Sequence, residues 1–197
     1  MKKKIKKFDY TLLNIEELEK EIKRETYKSK YYKILRSTIY ALIIVAAVVA
    51  LIATLFMPVI QISGSSMVPN LEEGQIVATL KNVEIKNKNI IAYYHGNKIL
   101  VKRVIAGPGS YVTIDEEGNI YVDNLQLYEP YIKNKQLGDT DIEFPYQVPD
   151  GHYFVLSDDR ENLIDSRNSE IGCVAKEDII GKLMFRVWPI KDIKTIN

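Results

Sequence analysis

Residues 63–69 read Ser63-Gly64-Ser65-Ser66-Met67-Val68-Pro69, a serine-rich turn that offers hydroxyl nucleophiles. A serine hydroxyl attacks a carbonyl efficiently only when a neighbouring base takes its proton. The histidines His95 and His152 are one source of such a base. His95 lies in the turn His95-Gly96-Asn97 and His152 follows Pro149-Asp150-Gly151, with no local carboxylate arranged to orient an imidazole. Lysine is another source. In Ile99-Leu100-Val101-Lys102-Arg103-Val104-Ile105, period-two alternation puts Leu100, Lys102 and Val104 on one apolar face. Desolvation lowers a lysine pKa by up to ~3–5 units, so a buried Lys102 would hold substantial neutral amine near neutral pH. Such an amine can take the proton of a serine hydroxyl during attack. A lysine snorkelling at a sheet edge, with Arg103 beside it on the opposite face, fits the same spacing.

The elements that must position these groups begin with an apolar span. The 35 residues between Arg36 and Glu72 carry no charge, and their core, Ser37 to Met57, is 21 residues long. At 1.5 Å rise per residue, a helix of that length crosses a hydrocarbon layer of roughly 30 Å. Residues 1–36 hold 12 Lys/Arg against 6 Asp/Glu, and Thr26 to Arg36 contains Lys28, Lys30, Lys33 and Arg36 without an acid. Beyond the span no base occurs before Lys81. Positive charge stays inside, so the reading is a cytoplasmic N-terminus and an extracytoplasmic chain from about residue 59. A cleaved leader would have a shorter apolar region and small residues after it, whereas this one ends in Leu55-Phe56-Met57-Pro58. The organisation expected is a basic, partly helical segment over 1–36, an anchor over 37–58 and an outer domain over 59–197.

The outer domain carries 15 bases against 20 acids once residues 1–36 are set aside, a balance that argues against nucleic acid as a partner. The lone Cys173 can form no intramolecular disulfide, and two isolated histidines are too few for a typical zinc site, so neither metal nor other cofactor is expected. Asn14 to Lys30 has helical spacing, with Asn14 as a plausible N-cap. Short β-rich runs follow the anchor: 75–80, 89–94, 98–105, 111–115, 120–123, 153–156 and 182–187. Turn signals at His95-Gly96-Asn97, Gly107-Pro108-Gly109 and Glu116-Glu117-Gly118-Asn119 separate several of them. The fold class predicted is an antiparallel, all-β domain behind one N-terminal transmembrane helix, with an irregular excursion over about 124–149.

Four blocks of this outer domain, in order, resemble the bacterial type I signal peptidases. Gly64-Ser65-Ser66-Met67-Val68-Pro69-Asn70-Leu71 resembles the nucleophile motif, and Lys88-Asn89-Ile90-Ile91-Ala92-Tyr93 is similar to a strand that normally begins Arg-Gly-Asp. Val101-Lys102-Arg103-Val104-Ile105-Ala106-Gly107-Pro108-Gly109 resembles the general-base block. Ser157-Asp158-Asp159-Arg160-Glu161-Asn162-Leu163-Ile164-Asp165-Ser166-Arg167 resembles the signature Gly-Asp-Asn-Arg-x-Asn-Ser-x-Asp-Ser-Arg. The resemblance implies Ser66 as nucleophile and Lys102 as base. It implies backbone oxyanion donors at Ser66 and Gly64, and ion pairs Arg103–Asp158 and Asp165–Arg167. Substrate is implied to add as a strand against Gln61-Ile62-Ser63 and Leu100-Val101. Asp159, Arg160 and Glu161 read as solvated.

The departures are informative. Asn70 replaces a threonine and Asn89 an aspartate. Leu163 stands where the family commonly has a serine that hydrogen-bonds the base, and Ser157 stands where it commonly has glycine. The expectation is a single-pass bacterial membrane serine endopeptidase that cleaves signal peptides of exported preproteins at Ala-x-Ala-type sites, beside the secretion translocase. A non-proteolytic relative that binds secreted or pilin precursors is the alternative, and a self-cleaving repressor-like Ser/Lys protease fits the anchor poorly. Ser66 lies nine residues after Met57, so even an extended link keeps it within about 30 Å of the bilayer.

Overall fold

The computed structural model describes residues 15–196. The N-cap expected at Asn14 lies outside the described residues. A single helix, α1 (Ile15–Phe56), runs for 42 residues through both the basic segment and the apolar span. No proline or glycine interrupts this stretch, and Pro58 accounts for its end because proline disfavours helical φ/ψ in the residue before it. No residue of α1 is buried. It is long and apolar enough to cross a membrane, by length and composition. The chain divides into a unit ending at Ile52 and a unit that starts at Ala53.

The second unit is built from two antiparallel sheets. Twelve strands follow α1: β1 (Val59–Gln61), β2 (Ile76–Leu80), β3 (Ile90–His95), β4 (Lys98–Ala106), β5 (Tyr111–Ile114), β6 (Ile120–Val122), β7 (Leu125–Gln126), β8 (Tyr146–Gln147), β9 (His152–Leu156), β10 (Val174–Ala175), β11 (Ile179–Trp188) and β12 (Lys194–Thr195). The larger sheet runs β1-β2-β11-β3-β4-β9-β10, with β12 on β11. The smaller one runs β7-β6-β5-β8. The antiparallel, all-β class expected from the sequence is the class observed, and the seven β-rich runs correspond to β2–β6, β9 and β11.

Burial follows from position in the sheet. β3 lies between β11 and β4, and Ile90, Ile91, Ala92 and Tyr93 are all buried because both faces are covered. One apolar cluster (Ile91, Tyr93, Val104, Tyr153, Val155, Val174) lies on the Lys102 side of β4. Another (Ile62, Met67, Leu71, Val77, Ile90, Leu183) receives the end of the serine turn. A third, with Ile105, Val112, Ile120 and Phe154, ties the two sheets together.

The stretch over 124–149 carries regular structure only near its two ends. It contributes β7 and β8, and its middle closes over the fold. A Cβ on Gly118 would meet the backbone of Gln136 at 2.3 Å, and Gly118 has φ +78°, so glycine is required where this excursion crosses.

Candidate active site

The serine turn is held from its C-terminal side by burial. Met67 and Leu71 are each 1% exposed, packed in the cluster with Ile62 and Val77, and Leu71 N–H donates to Met67 O at 2.8 Å. Val68 N–H donates to Ser65 O at 3.0 Å. With its neighbour anchored, Ser66 is half-buried while Ser63, Gly64 and Ser65 are exposed. Gly64 adopts φ +80°, a left-handed turn conformation that favours glycine. Among the described residues no acceptor takes the N–H of Gly64 or Ser66.

Lys102 sits inside β4 opposite Ile91, on the face shared with Leu100 and Val104, and is 1% exposed. Of the two sequence readings, the edge lysine is therefore excluded. Burial pulls its pKa from 10.5 down to about 8, against the opposing pull of Asp165; Arg167 pushes it further down, and Asp158 and Asp159 push it back up. At about 1.4 kcal/mol per unit, this environment disfavours the ammonium by roughly 3 kcal/mol. Lys102 Nζ donates to Ser157 Oγ at 2.9 Å, and Ser157 is fully buried.

The segment after β9 reaches both groups. Asp159 N–H donates to Ser66 O at 3.0 Å, two residues after the hydroxyl that accepts from Lys102. Ser66 and Lys102 are thus tied to one three-residue stretch, Ser157–Asp159. Asp158 accepts from Arg103 Nε at 2.7 Å and from Nη2 at 2.6 Å, a bidentate pair with both side chains buried. Asp165 takes Arg167 Nε at 3.0 Å and Nη2 at 2.9 Å, and it also accepts the Ser157 N–H at 2.9 Å.

One expectation about this loop is overturned. Arg160 was read as solvated with Asp159 and Glu161, yet it is 2% exposed. Its guanidinium pairs with buried Glu129 and donates to Ser157 O at 2.9 Å. Asp159 is half-buried and Glu161 is exposed. The missed partner comes from the 124–149 stretch, where a lone acid followed by proline carries no periodic signal.

The same stretch supplies Tyr131, whose ring lies 3.9 Å from the Arg103 guanidinium. Asn70, which replaces a threonine of the family motif, donates to Asp158 Oδ2 at 2.8 Å and to Tyr131 O at 3.1 Å. Arg186 donates to Asn70 O at 2.7 Å and pairs with Asp192. These contacts lock the far end of the serine turn to the Arg103–Asp158 pair. Leu163 lies against Gly138, where an added Cβ would meet it at 2.7 Å.

The expected substrate positions divide by backbone direction. Ile62 is buried, its N–H donates to Gln75 O at 2.8 Å and its carbonyl accepts from Gly74 N–H at 2.9 Å. Strand alternation then turns the amides of Gln61 and Ser63 to the side away from β2. On β4, pairing with β9 starts only at Arg103, so the edge at Leu100 and Val101 is unpaired by strands on that side. The bond from Val104 N–H to Asn89 O sets the parity, which directs the Leu100 backbone to β3 and that of Val101 to the open edge. Neither histidine takes part. His95 ends β3 opposite Lys98, and His152 Nδ1 contacts Asp150 O at 2.8 Å. No group of three or more His, Cys, Asp or Glu among the described residues is arranged to hold a metal ion.

Comparison with known proteins gives the same answer as the motifs. The family described as signal peptidase, peptidase S26, matches residues 35–188. Signal peptidase I U of Bacillus subtilis is 31% identical over 177 residues, covering 84% of this chain and 94% of that protein. Signal peptidase I T of the same organism is 34% identical over 167 residues, covering 77% and 85%. A crystal structure of a signal peptidase I from Enterococcus faecalis is 26% identical and covers 51% of this chain and 97% of that one, at a TM-score of 0.43. The chain belongs to the signal peptidase family, peptidase S26, and is a serine endopeptidase of the signal peptidase I kind.

Proposed function

We propose that this protein is a membrane-bound endopeptidase that removes N-terminal signal peptides from exported preproteins with a Ser66–Lys102 dyad. The observation that carries the reading is the state of Lys102: fully buried beside an apolar cluster, with its pKa drawn down to about 8. About a tenth of such a lysine is neutral at pH 7 and half at pH 8. A base with a pKa near the working pH is suited to accept and return a proton.

In the proposed reaction Lys102 Nζ takes the Ser66 proton as Oγ attacks the scissile carbonyl. The tetrahedral oxyanion points at the backbone N–H groups of Ser66 and Gly64, where donors in place before reaction stabilise developing charge. Lys102 then passes its proton to the leaving amine, which frees the mature protein and leaves an ester on Ser66. The amine next deprotonates a water that hydrolyses the ester. An extended cleavage site pairs with the outward amides of Gln61 and Ser63 and of Val101, while Ile62 and Leu100 shape the apolar wall.

The helix gives the substrate class its geometry. An anchor over residues 37–58, cytoplasmic on its basic side, holds the catalytic unit beside the bilayer from which a signal peptide's cleavage site emerges. The test is incubation of the purified full chain with a precursor carrying an Ala-x-Ala site, mapping the new N-terminus by mass spectrometry. Cleavage after the second alanine is the expected product. An intact precursor, or cutting elsewhere, contradicts the substrate class.

A further inference from the structure

We propose that Ser157 is the positioning residue for the base, its hydroxyl aiming the Lys102 amine and stabilising the ammonium that forms during attack. This proposal rests on the dyad reading above. The contact is direct, with Lys102 Nζ donating to Ser157 Oγ at 2.9 Å and both residues at 1% exposure or less. A neutral lysine amine has two N–H groups and one lone pair. Tying one N–H to Ser157 leaves the lone pair for the Ser66 proton. After the transfer the same bond becomes charge-assisted and strengthens.

The hydroxyl is placed by its own backbone. Ser157 N–H donates to Asp165 Oδ2 at 2.9 Å, and its carbonyl accepts from Arg160 Nε at 2.9 Å. Each partner belongs to a buried ion pair, Asp165–Arg167 and Glu129–Arg160. The position is therefore fixed by groups that do not touch Lys102 through hydrogen bonds. Leu163, the neighbouring position with a hydroxyl in the family signature, is turned against Gly138. The charged groups around Lys102 are Asp165, Arg167, Asp158 and Asp159 of the last loop. Arg103 on β4 points to the other face, paired with Asp158. From β3 the titratable groups on the Lys102 face are Tyr93, buried and two residues along opposite Leu100, and His95 at the strand end opposite Lys98.

The sign of the pH effect separates positioning from packing. A hydrogen bond that favours the ammonium raises the lysine pKa, so its removal lowers that pKa further. Ser157→Ala and Ser157→Gly should each reduce kcat about 10- to 100-fold with KM nearly unchanged, the worth of a hydrogen bond to a charged group. The acid limb of the kcat/KM profile should move to lower pH by about half a unit to one unit. A limb that stays in place in both variants overturns the proposal, whatever happens to the amplitude. So does loss of the cooperative thermal transition in both, because a hydroxyl that acts on the base leaves the main-chain ties intact. Lys102→Arg run in parallel keeps the two readings apart. If it is active, the dyad itself falls; if it is inactive and the Ser157 limb is unmoved, only the role of Ser157 falls.

Discussion

Three serines crowd one turn, and the structure separates them by exposure. Ser66 is half-buried next to a core methionine, while Ser63 and Ser65 stand in solvent. Ser66→Ala removes only the hydroxyl, so precursor cleavage should be abolished while the thermal transition is unchanged. Ser63→Ala and Ser65→Ala should retain measurable turnover. A dead Ser65→Ala beside an active Ser66→Ala would move the nucleophile. Alternation along β4 identified the apolar face of Lys102 but left its depth open, since depth depends on residues 55 positions away that close over it. The Ser157 contact was illegible for the same reason. The sequence displayed a lost hydroxyl and a gained one, and only their placement in three dimensions shows which reaches the amine.

At the scale of elements, the longer strands were readable as runs of β-branched, aromatic and aliphatic residues, and three-residue β6 because its run follows the turn signal Glu116-Glu117-Gly118-Asn119. β1, β7, β8, β10 and β12 have two or three residues apiece, too short for a period to register. The role of the 124–149 stretch was hidden too, because its contacts are single ion pairs and backbone hydrogen bonds. Those contacts make a prediction. Glu129→Ala leaves Arg160 buried and without its carboxylate, a change that typically costs about 3–5 kcal/mol. Chemical denaturation of the detergent-solubilised chain should show that loss, and a change below about 1 kcal/mol would mean the strap does not hold the loop. Met67→Ala tests the opposite anchor. Deleting a buried methionine side chain costs about 2–5 kcal/mol, and activity should fall as well because Ser66 loses its fixed neighbour.

For the whole molecule, the sequence conveyed an apolar helix ahead of a β domain, and its continuity from Ile15 to Phe56 was the part that lay beyond local patterns. The basic flank makes orientation testable without activity. Protease added outside sealed cells should digest the chain after Met57 and spare the lysine-rich N-terminus; a protected C-terminal unit would reverse the topology. The dyad itself is tested most directly by the pH dependence of kcat/KM for the full chain in vesicles, which reports the essential base of the free enzyme. Because Lys102 must be neutral to accept a proton, activity should rise with pH through about 8, its lowered pKa. Lys102→Arg, which cannot lose its proton in this range, should be inactive at every pH, while His95→Ala and His152→Ala keep the wild-type profile. An active Lys102→Arg, or a limb that disappears with either histidine, would contradict the account.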